Sequence, residues 1–388
     1  MAGSRKNGWM ECRHRKECGA CQLLHMPYPA QLRLKEEKVR ALLKDLCPVE
    51  PILGMEDPTH YRNKVHAVLS QDKSGRPQSG IYASGTHRVI PVASCLIEHE
   101  AADRIIQSAV RLIGERGWKI YNEYTHRGLV RHLLVRVAEG TGEIMVVLVA
   151  TTLDFPDQDL FVKELLLAHP EVTTVVINQN PRVTSAVLGT KEKTVYGKGY
   201  IEDILMGKRF RISPRSFYQV NGRQTEVLYR TALDMCGFQG NELLLDAYCG
   251  TGTIGLCASD RVRRLIGVEV NSQAVRDARE NARLNEAEHC TFYAEDAGVF
   301  LVRAHEQGIV PDVVIMDPPR AGSTPEFLRT LGSIGVKKLV YVSCNPETMA
   351  RDVRILREEG YQAQRAVPVD MFPCTEHVET VCLLTYKD

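Results

Sequence analysis

Apolar residues near the start of the chain recur at helical spacing, with Leu32, Val39, Leu42 and Leu43 set among Lys and Glu. The spacing predicts a helix from about Tyr28 to Leu46, stopped by the proline-bearing stretch Pro48–Pro51. From about residue 60 to 205 the texture changes. VRHLLVRV and IMVVLVATT read as two strands joined by the glycine turn EGTGE, with TTVVINQ and TSAVLGT as further strands, so an antiparallel α+β region is expected. After about residue 206 apolar strands alternate with helices. ELLLDAY, RLIGVEV, TFYAED, PDVVIMD, KKLVYVS and HVETVCLLTY are separated by helical runs such as SQAVRDARENARLN and ETMARDVRILREE. This alternation predicts an α/β, Rossmann-like doubly wound parallel sheet, in which ligands gather at the C-terminal strand ends. The polar residues of interest fall at those ends.

A chain of 388 residues favours two domains, with a third if it is small. Hydrophobic and charged fractions of 44% and 25% are those of an ordinary globular protein, and a net charge of +1 supplies no overall attraction to nucleic acid. Any RNA affinity must come from local patches. The first residues hold no apolar run like a signal peptide core, and no later stretch approaches the ~18 apolar residues of a membrane helix, so a cytoplasmic protein without membrane attachment is expected. In that reducing compartment the twelve cysteines are expected to be free thiols, metal ligands or catalysts.

Asp246-Ala-Tyr-Cys-Gly-Thr-Gly-Thr-Ile-Gly255 follows the first of these strands and opens a helix, with Gly250 and Gly252 permitting a tight turn and close approach to a ligand. Glu269 ends the next strand, near the ~20-residue interval at which an acid grips ribose hydroxyls. A nicotinamide cofactor would satisfy this much. Asp296 and Asp317 add acids at two further strand ends, Asp296 suited to adenine. That acidity repels a pyrophosphate but suits a cationic sulfonium, so S-adenosylmethionine fits better. Each carboxylate taken singly could instead cap the following helix.

Cys344, in Val-Ser-Cys-Asn-Pro346, follows a strand and precedes a helix, where the positive end of the helix dipole is expected to favour the thiolate. Asp317-Pro-Pro-Arg320 places a carboxylate and an arginine at a neighbouring strand end. The stretch Ser213–Asn221 offers aromatic rings, an amide and a basic residue, suited to stacking on a flipped base and reading its edge. Phe372–Glu379 places a carboxylate just ahead of the last strand.

SPRSFYQVN, DAYCGTGTIG, GVEVN, DPPRAG, SCNPETMARD and HVETV resemble, in order and spacing, the sequential motifs of the RNA uracil-5-methyltransferase family over residues 213–382. The resemblance implies a class I methyltransferase that forms 5-methyluridine, with Cys344 as nucleophile, Glu379 as base, and Asp317 near the uracil. It also implies Gln219, Tyr248 and Glu269 around the cofactor. The chemistry explains the residue types. Carbon 5 of uracil is too weak a nucleophile until a thiolate adds at carbon 6, and a base must then take the carbon-5 proton. Cys374, the nearest counterpart of the second cysteine of cytosine-5 enzymes, is read as structural.

Cys12, Cys18 and Cys21, with the distant Cys95, supply four thiolates, a number that suits tetrahedral zinc or a 4Fe-4S cluster. The arrangement is similar to the cluster-bearing branch of the same family, which favours iron-sulfur and, as RNA partner, 23S rRNA over tRNA. The family usually carries a β-rich RNA-binding module before the first cysteine, and none is expected in the eleven residues ahead of Cys12. Arg13, Arg15, Lys16, Arg127, Arg131 and Arg136 are candidates for tracking phosphates. The expected organisation is a cysteine loop (1–24), a helix packed on the catalytic domain (25–53), an α+β iron-sulfur and RNA-binding domain (54–205) and a methyltransferase domain (206–388).

Overall fold

A computed structural model describes residues 11–83 and 85–387; the first ten residues of the expected cysteine loop lie outside the described residues. The chain divides into two compact units. One comprises Met1–Pro27, Asp57–Ile204 and Arg211–Arg215, the other Tyr28–Glu56, Leu205–Phe210 and Ser216–Asp388. No helix among the described residues is long and apolar enough to cross a membrane.

Two helices come first, α1 (Arg15–Cys18) and α2 (Tyr28–Leu43). The first unit continues with β1 (Lys64–Gln71), β2 (Pro77–Tyr82), β3 (Val89–Pro91), α3 (Glu100–Glu115), β4 (Val130–Val137), β5 (Ile144–Ala150), α4 (Gln158–Ala168), β6 (Val172–Gln179) and β7 (Lys191–Tyr196). Its seven strands pair in the order β3-β2-β1-β4-β5-β6-β7. Alternation along β1 and β4 sends Val65, Ala67, Leu69, Leu133, Val135 and Val137 into a core closed by apolar residues of α3 and α4. The same alternation turns Lys64, His66, His132, Leu134 and Arg136 to the opposite face.

Two sequence expectations are corrected here. The sheet is not wholly antiparallel, because α4 crosses over and returns the chain parallel, β5 beside β6. TSAVLGT is not a strand but an irregular loop, and the sixth strand pairs with Lys191–Tyr196 instead. Two buried amides explain the loop. Asn178 bonds both the N–H and the carbonyl of Gly189, and Asn180 donates to the carbonyls of Ala186 and Val187, satisfying the backbone without a ladder.

A two-stranded ribbon, β8 (Ile201–Leu205) and β9 (Lys208–Ile212), follows. The second unit then holds α5 (Gly222–Cys236), β10 (Leu243–Ala247), α6 (Thr253–Ala258), β11 (Arg264–Glu269), α7 (Ser272–Leu284), β12 (Cys290–Ala294), α8 (Ala297–Glu306) and β13 (Val313–Met316). It ends with α9 (Pro325–Ile334), β14 (Lys338–Ser343), α10 (Pro346–Glu358), β15 (Tyr361–Val369) and β16 (Glu379–Tyr386). The sheet order is β12-β11-β10-β13-β14-β16-β15. Six strands run in one direction and β16 alone is reversed, lying antiparallel between β14 and β15, so the sheet is mixed rather than wholly parallel. Strand order reverses between β10 and β13, which opens a crevice at their C-terminal ends. Helix α2 packs on α10 and β15 of this unit, and its Val39 and Leu43 are fully buried in the same core as Leu328, Tyr341 and Leu384.

Candidate active site

Hydrogen-bond register brings the reacting candidates together. Ser343, the last residue of β14, pairs with Thr380 of β16, so the next step along each antiparallel strand sets Cys344 across from Glu379. In the neighbouring parallel pair Met316 of β13 sits beside Tyr341, which puts Asp317 one residue beyond on the same rim. The charges agree with this geometry. Glu379 and Asp317 both act on the Cys344 thiol, and Arg320 acts on Cys344 and on Glu379.

The thiol does not have the depressed acidity expected from its place before α10. Burial, then Glu379 and Asp317, push Cys344 up to about 11, outweighing the favourable charge of Arg320. Glu379 is buried, and burial together with Asp317 raises it to about 8. Asp317 is a half-buried residue, but enclosure of its carboxyl group alone lifts it to about 7. At neutral pH these carboxyls hold protons for much of the time, which limits the negative charge facing the sulfur.

The loop after β13 is held from α10. Asp352, fully buried, accepts from the hydroxyl of Tyr341 at 2.7 Å and from the backbone N–H of Ser323 at 2.8 Å. Asn345 caps α10 through Glu347 N–H and also donates to the carbonyl of Arg320 at 3.2 Å. Gly322 is required where this loop meets α10: at φ +81 a Cβ would fall 2.6 Å from an Asp352 carboxylate oxygen. Sequence reading did not single out Asp352, although it closes the motif SCNPETMARD and sits on the inward face of the helix that Asn-Pro begins.

The cofactor candidates lie along the strand ends β10 to β12. Glu269 accepts from Gly250 N–H at 3.2 Å and from Asn271 N–H at 2.8 Å, which fixes its carboxylate beside the glycine turn. Tyr248 adopts φ +64, unusual for a non-glycine residue, and is held by a 2.8 Å bond between its hydroxyl and that of Ser323 and by an edge contact on Phe327. Asp296 does cap its helix, accepting from Gly298 and Val299 N–H, and its charge also reaches Tyr248. Gln219, half-buried, is the one cofactor candidate away from the strand ends. Its segment is pinned by Asn221, whose amide donates to the carbonyl of Met371 at 3.0 Å while its oxygen caps α5.

Two observations fit a small ligand here. A Cβ at Gly250 would meet no atom within 4 Å, so the turn borders open space. Asp246, missed as a site residue, is buried, with one oxygen held by Gly255 N–H and the other lacking any hydrogen-bond partner. Burial raises its pKa to about 7. Three acids around an open turn, one with a spare acceptor, match a ligand rich in hydroxyl and amine donors and bearing positive charge.

The expected four-cysteine metal site is less assembled. Among the described residues no group of three or more His, Cys, Asp or Glu is placed to hold a metal ion. The four cysteines are half-buried and unbridged by disulfides. Cys12 acts on Cys18, and Glu98 acts on both Cys18 and Cys95, so Cys12, Cys18 and Cys95 share one neighbourhood. The expected arginine track also changes: Arg131 and Arg136 are buried rather than surface residues, whereas Arg15, Lys16 and Arg127 are exposed.

Sheet order, the antiparallel seventh strand and acids at the strand ends define a class I methyltransferase fold. The family model for tRNA (uracil-5-)-methyltransferase matches residues 171–387. An RNA methyltransferase of Bacillus cereus, itself uncharacterized, is 40% identical over 97% of this chain and 82% of its own length. Another from Oceanobacillus iheyensis is 42% identical over 95% and 82%. The crystal structure of Pyrococcus abyssi tRNA (uracil-54, C5)-methyltransferase with S-adenosyl-L-homocysteine superposes with a TM-score of 0.80 at 26% identity, covering 95% of this chain and 86% of that one. The chain belongs to the RNA uracil-5-methyltransferase family.

Proposed function

We propose that this enzyme converts uridine to 5-methyluridine in RNA with S-adenosylmethionine as donor, through a covalent adduct at Cys344. The observation that carries the reading is the β14–β16 register, which sets a thiol and a buried carboxyl across from each other with Asp317 and Arg320 beside them. The Cys344 sulfur bonds carbon 6 of the uracil, and the displaced π electrons make carbon 5 nucleophilic. Carbon 5 takes the methyl group as the sulfonium–methyl bond breaks. Glu379 then accepts the carbon-5 proton, and elimination returns the thiolate. Arg320 favours the anionic forms of both Cys344 and Glu379. Glu269, Asp246, Asp296, Gly250, Tyr248 and Gln219 would hold the donor, and Asp317 would contact the uracil.

The preferred target is 23S rRNA, supported by the Cys12, Cys18, Cys21 and Cys95 set as thiolate ligands of a 4Fe-4S cluster; the cubane spreads its ligands further than one ion does. Transfer RNA is the second reading, favoured by the likeness to the P. abyssi tRNA enzyme. Deleting the gene and measuring 5-methyluridine separately in 23S rRNA and tRNA decides between them. Loss from the ribosomal fraction is expected; loss only from tRNA selects the second reading, and no loss from either contradicts uridine methylation.

A further inference from the structure

Buried cations in this chain are paired with acids where they serve the fold. Lys35 meets Asp370 at 2.6 Å, Arg116 meets Glu164 at 2.7 Å, and Arg131 meets Glu123 at 2.8 Å while donating to two backbone carbonyls and stacking on Tyr121. Lys64 departs from this pattern, with no carboxylate acting on it, whereas the neighbouring Arg136 donates to the carbonyl of Pro214 at 3.4 Å. On the first unit's sheet, on the face turned away from α3 and α4, Lys64 of β1 lies in direct register with Arg136 of β4, two residues after Arg62. Like charges directly opposite across a strand pair repel.

Burial and the charges of Arg136 and Arg62 lower Lys64 to about 8, with no carboxylate acting on it. Glu98 is the acid beside Arg62. The patch continues with His66 and His132, whose ring centroids are 4.9 Å apart. His66 Nε2 and His132 Nδ1 are buried without a hydrogen-bond partner, and His132 as a residue is 5% exposed. A half-buried lysine facing an arginine, backed by two unsatisfied imidazoles, costs stability in the free protein. An anion seated against it would offset that cost through charge-assisted hydrogen bonds.

We propose that Lys64 and Arg62, the half-exposed cations of this patch, with His66 beside them and the buried Arg136 and His132 behind them, form a binding site for a phosphodiester group of the RNA substrate. The proposal rests on the RNA-modifying reading above and adds a backbone anchor on the first unit's sheet. One phosphate there would give the unit a fixed hold on the strand without reading its sequence.

The test uses the full-length protein, Lys64→Met and Lys64→Arg, with 23S rRNA and tRNA transcripts as probes and inorganic phosphate in a separate arm. Lys64→Met is expected to hold or raise the thermal midpoint, because it removes a repelled charge. It should leave S-adenosylhomocysteine affinity unchanged, weaken RNA binding, and flatten the dependence of log K on log salt by about 0.7–0.9 for one lost phosphate contact. Lys64→Arg should restore the slope. If Lys64→Met does not fold, Arg62→Gln, at a half-exposed position outside the strand, carries the same expectation. An unchanged slope in a variant whose wild type binds RNA overturns the proposal, as does loss of inorganic phosphate binding with RNA binding intact. Wild-type protein that binds neither RNA overturns the functional reading itself, and the anchor with it.

Discussion

At the scale of single residues, burial raises Cys344, Glu379 and Asp317 together, so the thiol is not activated on its own. The sequence placed Cys344 before a helix and predicted a lowered pKa; the opposite direction comes first from burial of the thiol and then from Glu379 and Asp317, which reach it only through strand register between residues far apart in the chain. Local sequence carries no sign of that encounter. Because the Glu379 charge raises the Cys344 pKa, Glu379→Gln should lower it. Alkylation of Cys344 by iodoacetamide, followed on its own peptide by mass spectrometry across pH 7–10, should therefore run faster in Glu379→Gln, with its rise displaced to lower pH. A rise displaced to higher pH, or not displaced, would remove Glu379 from the sulfur's surroundings. In the wild type both groups must lose protons to act, so turnover should climb as pH rises through about 8, where Glu379 deprotonates, and keep climbing towards about 11, where Cys344 does.

At the scale of elements, strands and helices with strong periodicity were legible, and those stabilised by distant partners were not. The helix read from Leu32, Val39 and Leu43 is α2, and the glycine turn EGTGE does join β4 to β5. TSAVLGT has the composition of a strand, yet the buried amides of Asn178 and Asn180, six and four residues ahead of it, hold it as a loop. No strand was expected at Tyr361–Val369, where the buried Tyr361, Ala363 and Ala366 are interrupted by exposed Gln and Arg; it forms because β16 offers a ladder. Helix α2 does more than fill the core. Lys35 bonds Asp370 and the carbonyl of Phe372, Tyr28 bonds Asp370 at 2.9 Å, and Gln31 accepts from Cys374 N–H at 2.9 Å. These bonds fix the turn leading to Glu379, and they account for Cys374 as a structural residue at φ +71. Lys35→Ala leaves Asp370 buried without its cation and should cost about 3–5 kcal/mol in chemical denaturation. A loss below about 1 kcal/mol would mean that the pair does not hold this turn.

At the scale of the whole molecule, the alternation of strands and helices after residue 206 announced the methyltransferase unit, and the family motifs within it are what a sequence reader sees most readily. The joining of residues 28–56 to that unit depends on apolar and polar contacts across more than three hundred residues, beyond any local pattern. The cysteines are the converse case: their spacing is plain in sequence, while the described residues gather no metal-ion site. The proposed 4Fe-4S cluster predicts that anaerobically purified protein carries about four irons per chain, by the composition of the cluster, and that Cys18→Ser loses them together with stability. Stoichiometric zinc without iron, or full stability in Cys18→Ser, would contradict it.

The central claim is that Cys344 and Glu379 act at opposite ends of one covalent intermediate, and a denaturing gel of protein incubated with S-adenosylmethionine and the substrate RNA tests it directly. Cys344→Ala should give neither methylation nor a protein–RNA adduct, because without the thiolate carbon 5 is never activated. Glu379→Gln should keep the nucleophile and methyl transfer but lack the base, so methylated RNA should accumulate in a retarded covalent band. Normal turnover by Glu379→Gln, or an adduct formed by Cys344→Ala, would contradict the account.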